Sequence, residues 1–228
     1  MLAHKREFWG GLGMMIAFII VLILFLSPIF GGKNGLDYLD NLYNCISKGS
    51  AYYIPKVQEE GQAFRGKSVD LTLHMASAAQ AERTALLYRA AGAAAIVSGA
   101  DLQIQGDLGG ILEGALADAD AMYYNHGEKV SGKYGYSERH ALYNWWKAFK
   151  EMERDLKKQK LFKEAKMVDS ALTKAIEASY NYYGIEPQKI GEKWFIVLLS
   201  LVFYVIYTLW YGYSIMFMFE GWGLRLEH

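Results

Sequence analysis

The chain has 228 residues, and its 24 Lys and Arg are matched by 24 Asp and Glu. No field of one sign therefore draws it to nucleic acid or to an acidic surface. A single cysteine, Cys45, excludes an internal disulfide, a zinc ribbon and c-type haem attachment, and suits a packing role.

After a short tail, residues 1–7, the stretch Phe8 to Gly32 carries no charged residue and exceeds the ~20 residues that cross a bilayer core as a helix. His4, Lys5 and Arg6 before the apolar Leu12–Leu26 give it the look of a secretory signal. The run is too long for that, and Ser27-Pro28-Ile29-Phe30 offers no small-x-small cleavage site, so residues 8–32 read as an uncleaved transmembrane helix. A second uncharged run, Trp194 to Phe219, predicts another span over 194–219 and leaves a short tail, 220–228.

Between the spans, residues 33–190 predict one soluble domain. Ala, Leu, Glu, Lys and Gln dominate, Pro55 and Pro187 are the only prolines, and the expectation is an all-α fold. Asn34 caps a helix bearing Leu36, Leu39, Leu42, Tyr43 and Ile46 on one face and stopping near Gly49. A short helix follows Pro55 and carries Val57 and Phe64.

Ser68 is then read as the cap of a helix of about 30 residues through Leu71, Met75, Ala78, Ala79, Leu86, Tyr88 and Ile96, ending at Ser98-Gly99. Within it, His74 is expected as a hydrogen-bonded bundle residue, and the small residues Ala90–Gly99 as a tight helix contact. Another helix is predicted over Asp107–Tyr124, and Asn125–Tyr136, with three glycines, is read as a loop. Leu142, Trp145, Phe149, Met152 and Leu156 mark the next helix. Its stripe loses phase at Lys157–Lys160, implying a turn or a stutter, and resumes at Leu161 until Gly184. Helices leaving and returning to one membrane face predict an antiparallel helical bundle flanked by the two transmembrane helices.

Orientation rests on the flanking charges. Lys5, Arg6 and Arg225 lie on the tails, whereas Lys33, Lys48, Lys174, Lys189 and Lys193 lie on the domain side. Lys5 and Arg6 immediately precede the first span and Asp37 and Asp40 follow it, so the tails are assigned to the cytoplasm and the 33–190 domain to the outside of a bacterial inner membrane.

No catalytic motif is present: no Glu-x-x-His pair, His-Glu-x-x-His, Gly-x-Ser-x-Gly, phosphate loop or dinucleotide fingerprint. No enzyme activity and no cofactor are expected. Asp120, His126, Glu138 and His140, close in sequence around the glycine-rich segment, are the candidate metal ligands. Tyr143, Trp145 and Trp146 are the candidate partner-binding anchors, since large rings dominate interface energetics. Two adjacent tryptophans cannot both face one core, so one of them must look elsewhere.

The order span, helical domain, span is similar in layout to the membrane-anchored sensor half of bacterial chemoreceptors and histidine kinases. That resemblance implies an outer four-helix bundle, although only Glu220–His228 follow the second span here, without a signalling helix. The reading is a membrane-anchored, non-enzymatic accessory subunit whose helical domain docks on another membrane or periplasmic protein or on itself, with the lipid bilayer as its other partner. The alternatives are a ligand- or metal-binding sensor-like module acting through a partner, and a homo-oligomeric two-span pore, disfavoured because neither helix has a polar stripe.

Overall fold

The structure, a computed structural model, describes residues 2–224, so Arg225 and the last three residues of the tail lie outside the described residues. In chain order the elements are α1 (Lys5–Leu26), α2 (Gly35–Ser50), α3 (Ile54–Gln62), β1 (Ser68–His74), α4 (Ala78–Ala90), β2 (Ala94–Ser98), β3 (Asp101–Asp107) and α5 (Leu108–Tyr123). There follow α6 (Gly127–Tyr134), α7 (Glu138–Lys158), α8 (Phe162–Ala171), a π-helical turn (Leu172–Ile176), α9 (Glu177–Asn181) and α10 (Ile190–Trp222). The chain forms two compact units, one from residues 1–46 with 188–228 and the other from residues 47–187.

In the first unit, α1 and α10 are both long and apolar enough to cross a membrane. They run antiparallel as a hairpin: His4 N–H donates to Gly221 O at 3.1 Å, the Trp210 indole donates to Met14 O at 3.1 Å, and Phe25 stacks on Phe203 at 5.5 Å. Two glycines bring the backbones together. A Cβ on Gly11 would stand 2.8 Å from both Ser214 O and Met218 N, and one on Gly221 would stand 2.5 Å from Phe8 N. Phe18 fills the middle of the seam against Tyr207 and Tyr211. α1 stops where Ser27 turns extended before Pro28, whose ring disfavours helical backbone in the residue ahead of it. Asn34 then accepts the Asp37 N–H at 2.8 Å and caps α2, as its sequence predicts, and Cys45 is buried.

The second unit is mostly helical, but it contains a three-stranded antiparallel sheet of order β1-β3-β2, which corrects the all-α expectation. The predicted 68–98 helix is in fact β1, α4 and β2. Ser-Val-Asp-Leu-Thr-Leu-His alternates polar and apolar residues, and its burial alternates in step, as a strand with one covered face requires. Asp101–Asp107 behaves the same way. Val69, Leu71, Leu73, Ala95, Leu102 and Ile104 form the buried face against α4, α5 and α7, while Asp70, Ile96, Gln103 and Gln105 face solvent. Residues 94–98 are thus a strand rather than a tight helix contact. His74 stands exposed at the end of β1, with Nδ1 2.6 Å from Asp101 Oδ1, rather than inside a bundle.

Both outer strands have their edges occupied. On β1, Asp155 Oδ2 accepts the Thr72 N–H at 3.1 Å and Gln159 donates to Asp70 O at 2.8 Å. On β2, Arg89 donates to Ala95 O through Nη2 at 2.8 Å. Such contacts blunt an edge that would otherwise template another strand.

The helix cap assigned to Ser68 belongs to Ser77, whose Oγ accepts the Gln80 N–H at 3.2 Å. Asp107 caps α5 through Gly110 N–H at 2.9 Å. The segment read as a loop, 125–136, holds the short helix α6, closed by Gly135 at φ +74°. The phase loss after α7 is a turn: Lys160 sits at φ +63° and the chain restarts as α8.

Candidate functional site

α7 presents two different faces, and the adjacent tryptophans fall one on each. Ala141, Leu142, Trp145, Ala148, Phe149, Met152 and Leu156 recur at helical spacing and are buried. Trp145 is fully enclosed, 5.1 Å from the Tyr88 ring and edge-on to Phe149 at 5.6 Å. Its indole N–H donates to Asp118 Oδ2 at 2.8 Å, an oxygen that also accepts Tyr134 O–H at 2.5 Å, while Lys133 Nζ donates to Oδ1 at 2.9 Å. Both carboxylate oxygens are occupied, so Asp118 closes a structural network. Burial first, then the Asp118 charge, pushes the Tyr134 phenol well above its ordinary pKa.

The opposite edge of α7 is different. Tyr143, Trp146, Lys147 and Lys150 lie three and four residues apart and share one surface. Tyr143 stacks on Trp146 at 5.9 Å, Lys150 Nζ lies 3.8 Å from the Trp146 ring centre, and Lys147 reaches both rings. From α9, Glu177 Oε2 accepts the Trp146 indole N–H at 3.4 Å and Tyr180 approaches Tyr143 at 6.5 Å. Tyr143, Trp146, Glu177, Tyr180 and Asn181 line a pocket of about 160 Å³. The result is an aromatic shelf with two cations and one anion at its margin. Of the three anchors named from sequence, Tyr143 and Trp146 lie on this shelf, and Trp145 is removed from it by its burial. Sequence reading missed Lys147, Lys150 and Glu177. The spacing 143, 146, 147, 150 was the available signal for the lysines, and none pointed to Glu177.

The four candidate metal ligands do not converge. Asp120 accepts the Tyr52 hydroxyl at 2.8 Å. His126 precedes α6, its Nδ1 3.5 Å from Glu128 Oε1. Glu138 lies against Gly127 and Tyr183, whose phenol burial and the Glu138 carboxylate hold above its ordinary pKa. His140 is exposed on the first turn of α7. Among the described residues, no three His, Cys, Asp or Glu side chains group as metal ligands.

Within the first unit, the C-terminal end of α1, the N-terminal part of α10 and the start of α2 border an open apolar pocket of about 430 Å³, lined by Phe25, Phe30, Tyr38, Leu39, Leu199 and Phe203 among others. Tyr43 O–H and Ser200 Oγ share a hydrogen bond of 2.6 Å beside it. No protein-family model matches this chain, and neither a characterised protein nor a solved structure is detectably similar to it.

Proposed function

We propose that this chain is a membrane-anchored accessory subunit without catalytic activity of its own, which carries the 47–187 unit as a docking module for a partner protein. The observation that supports anchoring is the exposure of α1 and α10. Their most hydropathic windows are only 11% and 0% buried, whereas the apolar core helix of a water-soluble protein is mostly enclosed. Ile16, Ile20, Ile23, Leu198, Leu201 and Leu209 all face outward, a surface that suits hydrocarbon and not water. α1 spans about 33 Å and α10 about 50 Å at ~1.5 Å per residue, against a hydrocarbon core of ~30 Å. Lys5 and Arg6 at the start of α1, ahead of its apolar run, with Asp37 and Asp40 behind it, favour an extracytoplasmic 47–187 unit in a bacterial inner membrane.

For the docking surface, the Tyr143–Trp146 shelf is the candidate. It presents Tyr and Trp rings, the side chains in which interface hot spots concentrate, with Lys147, Lys150 and Glu177 at their margin. Alkaline carbonate washing of native membranes, followed by photocrosslinking from position 143, tests both halves of the reading. Retention in the pellet and a discrete adduct that disappears in Trp146→Ala are expected. Release into the wash defeats the anchoring. An adduct indifferent to Trp146→Ala, or formed equally from position 96 on the open sheet face, defeats the docking surface.

A further inference from the structure

The outward face of α7 is strongly basic, in a chain whose 24 cations equal its 24 carboxylates. Arg139, Lys147, Lys150, Arg154, Lys157 and Lys158 fall on the arc of α7 opposite its buried stripe, in line with Tyr143 and Trp146. From Tyr143 to Lys158 this basic stripe runs about 22 Å at ~1.5 Å per residue. The acids of α7 answer only part of the charge. Glu151 pairs with Arg154 at 3.1 Å, Glu153 pairs with Lys157, and Asp155 is turned to the Thr72 N–H.

Lys147, Lys150 and Lys158 make no ion pair among the described residues. Lys158 sits in the last turn, where a cation complements the helix dipole, but Lys147 and Lys150 are in mid-helix and gain nothing from it. Both are held over one ring instead. Nζ of Lys150 is 3.8 Å and Nζ of Lys147 5.2 Å from the centre of Trp146, so the two ammonium groups lie nearer to each other than the ~10 Å screening length of 0.1 M salt. Glu177 of α9 meets the indole N–H and pairs with neither lysine. A carboxylate brought between the two ammonium groups exchanges their repulsion for two charge-assisted contacts, beside a pocket of about 160 Å³ that admits an apolar anchor.

We propose that the protein docked on the Tyr143–Trp146 shelf presents an acidic segment, which lies along α7 with carboxylates on Lys147 and Lys150 and continues towards Lys158. This rests on the reading of the shelf as a docking surface and adds the chemistry of what docks there. A protein segment fits the stripe better than an anionic bilayer does. Glu151, Glu153 and Glu177 border the cations, and a uniformly negative plane meets them too, whereas a segment one helix or strand wide follows the cations between them. The charges set encounter rate and register, while Tyr143 and Trp146 supply the buried rings.

The test uses the full chain in its native membrane, with a photocrosslinker at position 143. Lys147→Glu with Lys150→Glu should lower the yield of the protein adduct at least about tenfold, and Lys158→Glu about threefold. Lys147→Arg with Lys150→Arg should keep the adduct, and Lys56→Glu with Lys129→Glu, at exposed positions off α7, should leave it unchanged. In the unsubstituted background the yield should fall severalfold between about 0.05 and about 0.5 M salt, a readout independent of whether the charge-reversed protein folds. The cross-linked peptide, sequenced by mass spectrometry, should carry more Asp and Glu than Lys and Arg. An adduct that Trp146→Ala abolishes but that salt and the Lys→Glu pair leave intact overturns the acidic segment and keeps the docking surface. Absence of any protein adduct overturns both. A phospholipid adduct in place of a protein one, or a cross-linked peptide without an excess of carboxylates, overturns the acidic segment as well.

Discussion

The indole N–H of Trp145 and the carboxylate of Asp118 meet at 2.8 Å inside a closed core, and the same oxygen receives the Tyr134 hydroxyl. A buried carboxylate is tolerable only because its lone pairs are occupied, here by three donors from α6 and α7. Asp118→Ala leaves all three without their acceptor and should cost about 2 to 4 kcal/mol of unfolding free energy. Trp145→Phe removes one bond and part of the packing, for about 1 to 3 kcal/mol. Denaturant titration of the full chain in detergent measures both, and an Asp118→Ala protein as stable as the wild type would contradict the assignment.

The buried phenols predict an alkaline limit. Tyr88, raised by burial, and Tyr134, raised by burial and by Asp118, stay protonated in the fold above the ordinary value of 10.0. Unfolded, both release a proton near pH 10, so above it the unfolded state binds fewer protons and stability falls as pH rises. The two groups contribute a slope of at most about 2.7 kcal/mol per pH unit. Unfolding midpoints between pH 9 and 11 should fall accordingly, and less steeply in Tyr88→Phe. Ionisation of all tyrosines near pH 10 in the intact fold, read by ultraviolet absorbance, would refute this.

An opposite pH limb is set by Glu164. The Lys67 ammonium at 2.8 Å holds its carboxyl below the usual carboxylate range. Its contribution is present above the unfolded value near 4.5 and disappears as pH falls through the lower folded value. Lys67 is largely solvated, so the expected effect is small, about 0.5 kcal/mol. Glu164→Gln should lower stability at pH 7 by that amount and leave it unchanged at pH 2, and an equal loss at both would show that the charge is not responsible.

Three nearby glycines of α1 should respond unequally to alanine. Gly11 meets α10 backbone at 2.8 Å, whereas Gly10 and Gly13 have open space. Because the obstacle is backbone, Gly11→Ala forces the hairpin apart, at a cost of about 1 to 3 kcal/mol. Gly10→Ala and Gly13→Ala should be neutral or slightly stabilising, since Gly is a poor helix former. Thermal unfolding in one detergent ranks the three variants, and a Gly11→Ala protein as stable as Gly13→Ala would rule out the close crossing.

The two apolar helices were legible because an uncharged run of that length suits little besides a bilayer crossing, and the cap at Asn34 followed from local hydrogen-bonding chemistry. The sheet was not legible, for a reason visible at Ser68–His74. Seven residues of alternation abut the Ala-rich Ala76–Ala95, and Leu71, Met75, Ala78 and Ala79 also satisfy a helical period, so one pattern concealed the other. Strand pairing with Asp101–Asp107, distant in sequence, decided between them. At the candidate site, the stripe of Leu142, Trp145, Phe149, Met152 and Leu156 already puts Trp145 on the interior face of α7 and Trp146 off it. What the sequence did not reveal is that Asp118, distant in sequence, supplies the acceptor for the buried indole.

Where the 47–187 unit begins and ends, its chain is clasped. Lys48 Nζ donates to Ile185 O and, at 3.1 Å, to Asn125 Oδ1, and Asn125, at φ +60°, donates to Ile185 O and Glu186. Tyr123 O–H adds a bond to Lys48 O at 2.7 Å. Tension applied at the two connections is consequently borne by this knot before it can peel either end helix from the core. The two chain ends of this unit are thereby tied to each other, directly from Lys48 to Ile185 and in parallel through Asn125.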